Sequence, residues 1–506
     1  MENTEHSRIS EYLTILGSLS YVIIMIGAIM LLPLVLILFY KDEADQLPYF
    51  ALPGVLSIFA GYLTKQFTPN HSLKDLRRHQ GSVIVLLIWI VSILIGSIPF
   101  ILCGDYTFTE AIFETTSGFT TTGFTVTDVE NTTHVILLYR SLLHLFGGVG
   151  LILILSSVLS NVYGMQLFSA EGHRDRLTPS LLHSARTIIL IYLGFIISGT
   201  ILYIVFGMSP FDALNHAICA VSTGGFSTKY QSIGYWSASL VGVANSIGIK
   251  ITTIALMLLG SINFMASLLF FRGKFRDYFS HSETKVTAFA IAIATPIVVV
   301  MLLATGLCNT TLSAISDGIF QVVSLVTTTG YTTVPNFVAQ SSFAFIPIFL
   351  LMLMGGHSGS TSGGIKASRV AMLIKSVFYD VCEQIFPKRI SFSRSINKFG
   401  KKVQFTREDQ SQNYTYIFTF IFIGLFGAFL LSLDGHDFGQ AFFDAFSTLS
   451  TIGLSIGTVT REMSNYTMWV YTALMIIARL EVYIVILAIA RIGKDIGDGI
   501  KELRSK

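Results

Sequence analysis

Charged residues are scarce in this chain, which argues against a soluble globular protein. Of its 506 residues, 12% are charged and 52% are hydrophobic, whereas soluble domains carry about 25% charged residues. The net charge of +3 is too small to indicate nucleic-acid binding. Cysteine is also rare, and the scattered positions form no Cys-x-x-Cys pair, so neither a zinc site nor a disulfide framework is expected. These residues are Cys103, Cys219, Cys308 and Cys382.

Recognisable enzyme motifs are missing as well. The sequence contains no HExxH, no GxSxG, no Walker A loop and no phosphorylation signature of a pump. No polar stretch is long enough for the soluble nucleotide domain that a pump requires. The sequence therefore predicts a membrane protein that is not an enzyme and that holds no organic cofactor.

Ten apolar stretches are long enough to cross a bilayer, which takes roughly 20 apolar residues as a helix. Their apolar residues are continuous rather than alternating with period two, which favours helices over a β-barrel. The first stretch follows a polar segment and is too long for the apolar part of a signal peptide. The predicted spans are 12–40, 49–66, 82–103, 135–163, 187–207, 243–271, 286–306, 343–375, 414–432 and 467–490.

Basic residues are concentrated in one set of connections between these spans. The opposite set is nearly free of them, and the stretch 304–346 has none. The positive-inside rule then predicts that the basic set and both termini lie in the cytoplasm. Besides the tail 491–506, the basic set contains Lys65, Lys74, Arg77, Arg78, Arg174, Arg176, Arg186, Arg272, Lys274, Arg276, Lys285, Lys388, Arg389, Arg394, Lys398, Lys401, Lys402 and Arg407.

A four-fold repeat occupies the connections on the other side. Its copies read FTEAIFETTSGFTTTGF, PFDALNHAICAVSTGGF, SAISDGIFQVVSLVTTTGY and FGQAFFDAFSTLSTIGL. Aligned on one glycine, each copy has threonine two residues earlier and a polar residue nine residues earlier. Each copy is too short to span, so we predict four re-entrant helices that each lead into an extended strand. The polar residues are Glu114, His216, Gln321 and Asp444.

The repeated residues suit a cation filter. Rings of backbone carbonyls replace the hydration shell of potassium in selective channels, and glycine reaches the φ values that turn its carbonyl inward. The C-terminal dipole ends of the short helices would also face the cation. The predicted K+ filter consists of Thr121, Thr122, Gly123, Thr223, Gly224, Gly225, Thr328, Thr329, Gly330, Thr451, Ile452 and Gly453.

These features resemble the Trk/Ktr/HKT superfamily of potassium transporters, and within it the bacterial TrkH-type subunit. Besides the four filter segments, the resemblance rests on HLFGGVG (144–150), LLGSINF (258–264), GGHSGSTSGGIKASR (355–369) and ARLEVY (478–483). It implies potassium uptake across the bacterial inner membrane, with K+ as the transported ion. It also implies a homodimer that docks a cytoplasmic nucleotide-binding subunit of TrkA type, responsive to NAD(H) or ATP/ADP. Glycine at all four filter positions favours potassium, since family members with serine at the first position admit sodium.

Span 8 contains a glycine-rich segment that should break its helix, because glycine costs about 1 kcal/mol per residue in a helix interior. The resemblance implies that this segment is an intramembrane gate below the filter, while a small-residue packing face is the alternative. His357 stands where the family more often has a small or uncharged residue, and it could add pH sensitivity. The predicted gate glycines are Gly355, Gly356, Gly359, Gly363 and Gly364.

Arg479 lies inside the last span, where a charge is expensive, so it should face the bundle or the pore. The resemblance implies an electrostatic barrier below the filter, and an ion pair with Glu481 or another acid is the alternative. Lys250 is interpreted as a residue that reaches the outer interface. The polar stretch 376–413 fits a docking surface for the regulatory subunit, a solvated charge run or a contact with anionic membrane lipid.

The prediction is thus an all-α membrane protein with ten transmembrane helices, formed by an N-terminal helix pair and four tandem helix–pore loop–helix repeats around a central pore. Channel-like conduction is favoured over a transporter that couples potassium to protons or sodium, because the repeats run parallel and buried carboxylates are scarce. The predicted units are 1–80 for the helix pair, then 81–180, 181–284, 285–400 and 401–506 for pore repeats 1 to 4.

Overall fold

The computed structural model describes residues 17, 19–67, 81–150, 181–335, 337, 342–386 and 393–505. Parts of the predicted spans 12–40 and 135–163 therefore lie outside the described residues. The same holds for some of the basic residues that orient the chain, namely Lys74, Arg77, Arg78, Arg174, Arg176, Lys388, Arg389 and Lys506.

Helices occupy every predicted span within the described residues. Many of their large apolar side chains point outward, as Phe418 does at 71% exposure, and this arrangement suits lipid rather than water. Among the described residues, seven helices are long and apolar enough to cross a membrane, so the chain is an all-α, multi-pass membrane protein as predicted. They are Leu19–Leu38, Lys41–Phe67, Gly81–Leu102, Arg186–Val205, Val243–Ser261, Ser282–Ala304 and Arg407–Ser432.

The remaining spans are shorter or broken. Helix His134–Val149 ends at Gly150, which has a φ of 101°. Helix Ser342–Met354 stops and the chain resumes as a helix only at Ala367–Ile385, as the glycines predict. Two spans predicted as continuous are also interrupted: Val243–Ser261 is separated from Phe264–Phe271, and Asn465–Arg479 bends by 104° into Tyr483–Asp495.

Neither of these last two breaks is at a glycine, so composition gave no warning of them. At the first, Asn263 caps the following helix by accepting a hydrogen bond from the N–H of Met265. At the second, Glu481 and Val482 both adopt positive φ. Tertiary contacts therefore decide where the helices turn.

Four short helices lie between the spans where the repeats predict them. Each begins at a side chain that accepts a hydrogen bond from the first turn, and these caps are Thr107, Ser209, Thr310 and Asp437. Each short helix is mostly buried toward its C-terminal end. We number them short helix 1 (Phe108–Thr120), 2 (Pro210–Val221), 3 (Thr311–Val326) and 4 (Phe438–Leu449).

A small β-hairpin interrupts the all-helical pattern in the predicted cytoplasmic region. Strands Ser395–Lys398 and Lys401–Gln404 pair antiparallel, an element that the sequence analysis did not predict. The hairpin lies against the start of helix Ser282–Ala304, because the N–H of Asn397 donates to the hydroxyl of Ser282 at 2.9 Å. The second strand is exposed along its whole length.

Candidate functional site

The four short helices end in the same backbone conformation. Thr121, Thr223, Thr328 and Thr451 all adopt a left-handed φ between 51° and 56°. In every copy the N–H of this threonine donates to the carbonyl three residues earlier, and the next N–H donates to the carbonyl five residues earlier. This is the Schellman arrangement that closes helix C-termini. The repeat therefore holds in the backbone as well as in the sequence.

The four aligned glycines form a closed ring. Each has a positive φ, from 75° at Gly453 to 90° at Gly123, and each presses against a carbonyl oxygen of the next repeat. A Cβ on Gly123 would collide with the oxygen of Gly224, one on Gly225 with that of Thr329, one on Gly330 with that of Ile452, and one on Gly453 with that of Thr122. The contacts pass through all four repeats and return to the first, so the predicted filter residues surround one axis.

A cavity of about 280 Å³ lies on one side of this ring, and all four glycines line it. Tyr230 lines its rim, and the Tyr230 hydroxyl donates to the carboxylate of Asp128, from a different repeat, at 2.6 Å. Hydrogen bonds from Asn131 and from Tyr230 lower the pKa of Asp128, while the bond to Asp128 raises the pKa of Tyr230 to about 12. The ring thus opens into a polar vestibule with a bridged rim.

The polar residue nine positions before each glycine supports the extended segment that follows the glycine. Glu114 accepts hydrogen bonds from the hydroxyl of Thr125 and the N–H of Val126, and Asp444 does the same for Ser455 and Ile456. His216 contacts the hydroxyl of Ser227. The side-chain amide of Gln321, oriented with its oxygen toward Thr333 and Val334, accepts hydrogen bonds from their N–H groups. These residues therefore stabilise the extended segments that follow the glycines.

Arg140 was not singled out from the sequence, although it belongs to this support. Its Nε lies 2.6 Å from the Glu114 carboxylate, and both side chains are almost fully buried. Its guanidinium also lies 4.0 Å from the ring centre of Phe226 in the next repeat. The available signal was Glu114, which has no basic residue near it in the sequence. A buried carboxylate needs a partner, so a basic residue from elsewhere in the chain was to be expected beside it.

The segment 355–366 covers the opposite side of the ring. Its Gly355, Gly359 and Gly364 have positive φ, which is why glycine is required in this tight path. A Cβ on Gly363 would collide with the hydroxyl of Thr451. Gly363, one of the predicted gate glycines, therefore lies directly next to the predicted filter.

This segment reaches two further filter threonines by hydrogen bonds. The N–H of Gly363 donates to the hydroxyl of Thr328 at 2.9 Å. The hydroxyls of Thr361 and Thr223 are 3.0 Å apart. Small residues and short hydroxyls thus allow the segment to approach the ring closely.

Arg479 completes the contacts on this side. Its guanidinium donates to the carbonyl of Thr361 at 2.9 Å, to the hydroxyl of Thr121 at 3.4 Å, and to the carbonyls of Gly147 and Gly148. The carboxylate of Glu481 lies 2.7 Å from Arg369. Arg479 therefore faces the bundle interior next to the filter and links repeat 1 to the 355–366 segment.

Three polar residues that the sequence analysis did not single out also hold this segment. Glu283 accepts a hydrogen bond from the N–H of Ser358 at 2.7 Å, Asn263 donates to the carbonyl of Ser358, and the ammonium of Lys366 donates to the carbonyl of Ser362. The contacts of Glu283 and Asn263 join residues far apart in the chain, so spacing alone gave no signal for them, whereas Lys366 belongs to the segment itself.

Two further residues considered from the sequence have partners inside the protein. Lys250 does not reach for the outer interface but forms an ion pair with Asp317 of short helix 3. His357 is buried at 2% exposure, and its ring centre lies 5.9 Å from that of His281. His357 therefore packs inside the protein, where the 355–366 segment meets His281.

The described residues contain no group of three or more His, Cys, Asp or Glu side chains that could hold a metal ion. The oxygen atoms around the ring are instead carbonyls and hydroxyls, and the short helices direct their negative C-terminal ends toward it. Neutral oxygens of this kind suit a monovalent cation that passes through rather than a tightly held divalent ion.

Known proteins share both the sequence and this architecture. An uncharacterized cation transporter of Methanocaldococcus jannaschii is 31% identical over 455 residues, which cover 88% of each protein. The Trk system potassium uptake protein TrkH of Escherichia coli K12 is 29% identical over 480 residues, which cover 91% of this chain and 95% of that protein. The crystal structure of the potassium transporter TrkH from Vibrio parahaemolyticus superposes with a TM-score of 0.82 at 25% identity, covering 94% and 98% of the two chains.

These relatives are transport proteins and not enzymes, in agreement with the missing enzyme motifs. The family model described as TrkH, cation transport protein, matches residues 48–495. That range contains all four glycine copies, the 355–366 segment and Arg479. The chain belongs to the TrkH family of cation transport proteins.

Proposed function

We propose that this protein takes up potassium through a gated, channel-like pore whose filter is the glycine ring. The observation that carries the proposal is the closed circuit of contacts through Gly123, Gly225, Gly330 and Gly453. Carbonyl oxygens around one axis can replace the hydration shell of K+. The relatives named as Trk potassium uptake proteins support the choice of ion.

The 355–366 segment is the proposed gate. It lies against the filter threonines of repeats 2, 3 and 4, while Arg479 contacts that of repeat 1. A cation leaving the filter would meet this segment and the positive charge of Arg479. Conduction then requires the segment to move away from the ring.

The corresponding assembly is proposed as a homodimer in the bacterial inner membrane, with both termini in the cytoplasm. A TrkA-type subunit that binds NAD(H) or ATP/ADP would regulate it, with residues 376–413 as the docking region. The exposed strand Lys401–Gln404 supports an interaction surface there.

Ion flux into proteoliposomes that contain only the purified chain tests the transport mechanism. Rubidium-86 uptake driven by a potassium gradient, without sodium and with a protonophore present, is the expected result for a channel. Strict dependence of the uptake on protons or sodium would instead support the coupled transporter. Empty liposomes provide the background.

A second arm of the same assay tests the filter. Gly123→Ala should abolish most of the flux, since the methyl group meets the Gly224 carbonyl. Gly194→Ala is the matched control, because nothing lies within 4 Å of a Cβ there. Equal flux in both variants would overturn the proposed filter.

A further inference from the structure

The residue directly before the ring glycine differs in one repeat. Thr122, Thr329 and Ile452 each carry a side chain at this position, whereas repeat 2 has Gly224. The hydroxyls of Thr122 and Thr329 pair with Thr120 at 2.8 Å and with Thr327 at 2.9 Å. Ile452 of repeat 4 has no hydroxyl but still fills this position, whereas repeat 2 has no side chain there at all.

His144 occupies the space beside Gly224. A Cβ on Gly224 would lie 2.5 Å from Cγ and 2.7 Å from Cε1 of the imidazole, so histidine and a side chain at 224 exclude each other. The imidazole is completely buried. Its ring centre lies 4.0 Å from that of Phe226, whose ring also packs against Arg140. The helix of repeat 1 therefore supports the ring segment of repeat 2 from behind.

The other repeats place methionine where repeat 1 has His144. The helices after each ring read HLFGG, MLLGS, MLMGG and MIIAR from this position. Gly147 and Gly260 fix the alignment, since a Cβ on either would collide with the carbonyl four residues before a ring glycine, that of Phe119 or Val221. The aligned residues His144, Met257, Met352 and Met475 are all fully buried.

Among the four aligned helix positions only repeat 1 has histidine, and among the four positions before the ring glycines only repeat 2 has glycine. These two exceptional residues, His144 and Gly224, are in contact. Methionine is flexible and adapts to neighbours of varied shape, whereas imidazole is planar and rigid. Protein interiors are packed as densely as crystals, so the position of such a ring is transmitted to the backbone it contacts.

We propose that His144 is a positioning residue that determines ion selectivity by holding the Gly224 carbonyl at the ring. The imidazole takes the place of the side chain that repeat 2 lacks, and that carbonyl is the one that contacts Gly123. The proposal rests on the potassium filter proposed above. The proposal assigns to His144, which lies outside the filter segments, control of the geometry of the repeat 2 segment, one of the four segments that form the ring.

Bi-ionic permeability measurements on purified protein test this inference. His144→Ala should lower the ratio of potassium to sodium permeability by roughly tenfold, because the deleted ring leaves a cavity behind the carbonyl. The double variant His144→Ala with Gly224→Thr should recover most of the ratio, since it restores the threonine of repeats 1 and 3. Gly224→Thr alone should disrupt the filter, because its side chain meets the imidazole.

Met257→Ala is the matched control, since its helix packs against repeat 3, where Thr329 keeps its own hydroxyl contact. It should change the ratio by less than His144→Ala does. If His144→Ala does not fold, recovery of folded, selective protein by the double variant still supports the inference, and no recovery overturns it. An unchanged ratio in folded His144→Ala overturns the inference alone, while absence of potassium flux in the wild type overturns the proposed function.

Discussion

Four threonines at the ring adopt a backbone conformation that β-branched residues rarely take. The left-handed region costs roughly 1–2 kcal/mol per residue for L-amino acids. The Schellman hydrogen bonds offset this cost, and the hydroxyl of each threonine faces the 355–366 segment or Arg479. At the residue scale, glycine would fit this backbone more easily, but only threonine supplies the hydroxyl oxygen that contacts the 355–366 segment or Arg479.

The first ring glycine should control the exclusion of sodium. Gly123→Ser places a side chain against the Gly224 carbonyl at a φ of 90°, so the ring should widen or distort. We expect the ratio of potassium to sodium permeability to fall by about tenfold, equivalent to about 1.4 kcal/mol. Bi-ionic potentials measure it, with Gly194→Ser as the control. An unchanged ratio would contradict the assignment of Gly123 to the filter.

The buried pair of Glu114 and Arg140 should be essential for stability. Removing one partner of a buried ion pair typically costs about 3–5 kcal/mol, because the other charge remains buried. Arg140→Met should therefore lower the melting temperature in detergent strongly, measured by tryptophan fluorescence. Arg461→Met, at an exposed position, is the control and should change little. Equal melting temperatures of the two variants would rule out this role for Arg140.

At the scale of elements, the 355–366 segment owes its position to hydrogen-bonding side chains from several other elements. Arg479, Asn263 and Glu283 come from three different parts of the chain and all bind its backbone. A glycine-rich segment without regular secondary structure needs such partners at membrane depth. These polar contacts hold the segment in place next to the ring.

Removing Arg479 should loosen this segment and remove a positive charge from the path. Arg479→Ala should raise single-channel current or rubidium flux severalfold, measured in planar bilayers or proteoliposomes. Arg479→Lys keeps the charge but has fewer donors, and should give an intermediate flux. If Arg479→Ala yields folded protein with unchanged flux, Arg479 is not a barrier. If no folded protein can be recovered from either variant, its role is structural.

The vestibule rim should open at low pH. The hydrogen bonds from Asn131 and Tyr230 lower the pKa of Asp128. The stability that these bonds give the rim is therefore fully present at a pH above the ordinary pKa of an aspartate, and it is lost as the pH falls through the lowered pKa of Asp128. Asp128→Asn should therefore resemble the wild type in acid and differ from it at neutral pH. Rubidium flux of the wild type and of Asp128→Asn, compared between pH 7 and pH 3, should report the change, because both variants keep Tyr230.

At the scale of the whole molecule, each side of the ring is held by the neighbouring repeat. The Arg140–Phe226 contact links repeats 1 and 2, Lys250–Asp317 links 2 and 3, and Arg479 reaches Thr121, 358 residues away. No repeat therefore forms its part of the ring alone. Coupled motion of repeats is the expected route by which a regulatory protein could act on the ring.

Charge reversal in the cytoplasmic hairpin tests that route. Lys401→Glu combined with Lys402→Glu should weaken binding of a TrkA-type subunit and the effect of its nucleotide, while basal rubidium flux of the isolated chain persists. Binding by light scattering and flux are measured with and without the subunit, and Arg461→Glu is the control. Lost affinity for anionic liposomes with unchanged subunit binding would assign the hairpin to lipid instead.

Many features of this fold follow from short stretches of the sequence. Runs of apolar residues set the membrane class and the positions of the spans, and the aligned glycines and threonines predicted four equivalent turns, because φ preferences act within a few residues. Glycines at 355–364 likewise predicted the broken helix. Ion selectivity and gating by these residues stay predictions.

Only the tertiary structure decided which groups meet. The breaks after Ser261 and Arg479, the partner of Lys250, the donors to the 355–366 segment and the contact of His144 with Gly224 join residues distant in the chain. Such pairs form because a buried charge, donor or void must be matched by whatever packs against it. That choice depends on the arrangement of all four repeats, which no single stretch of sequence contains.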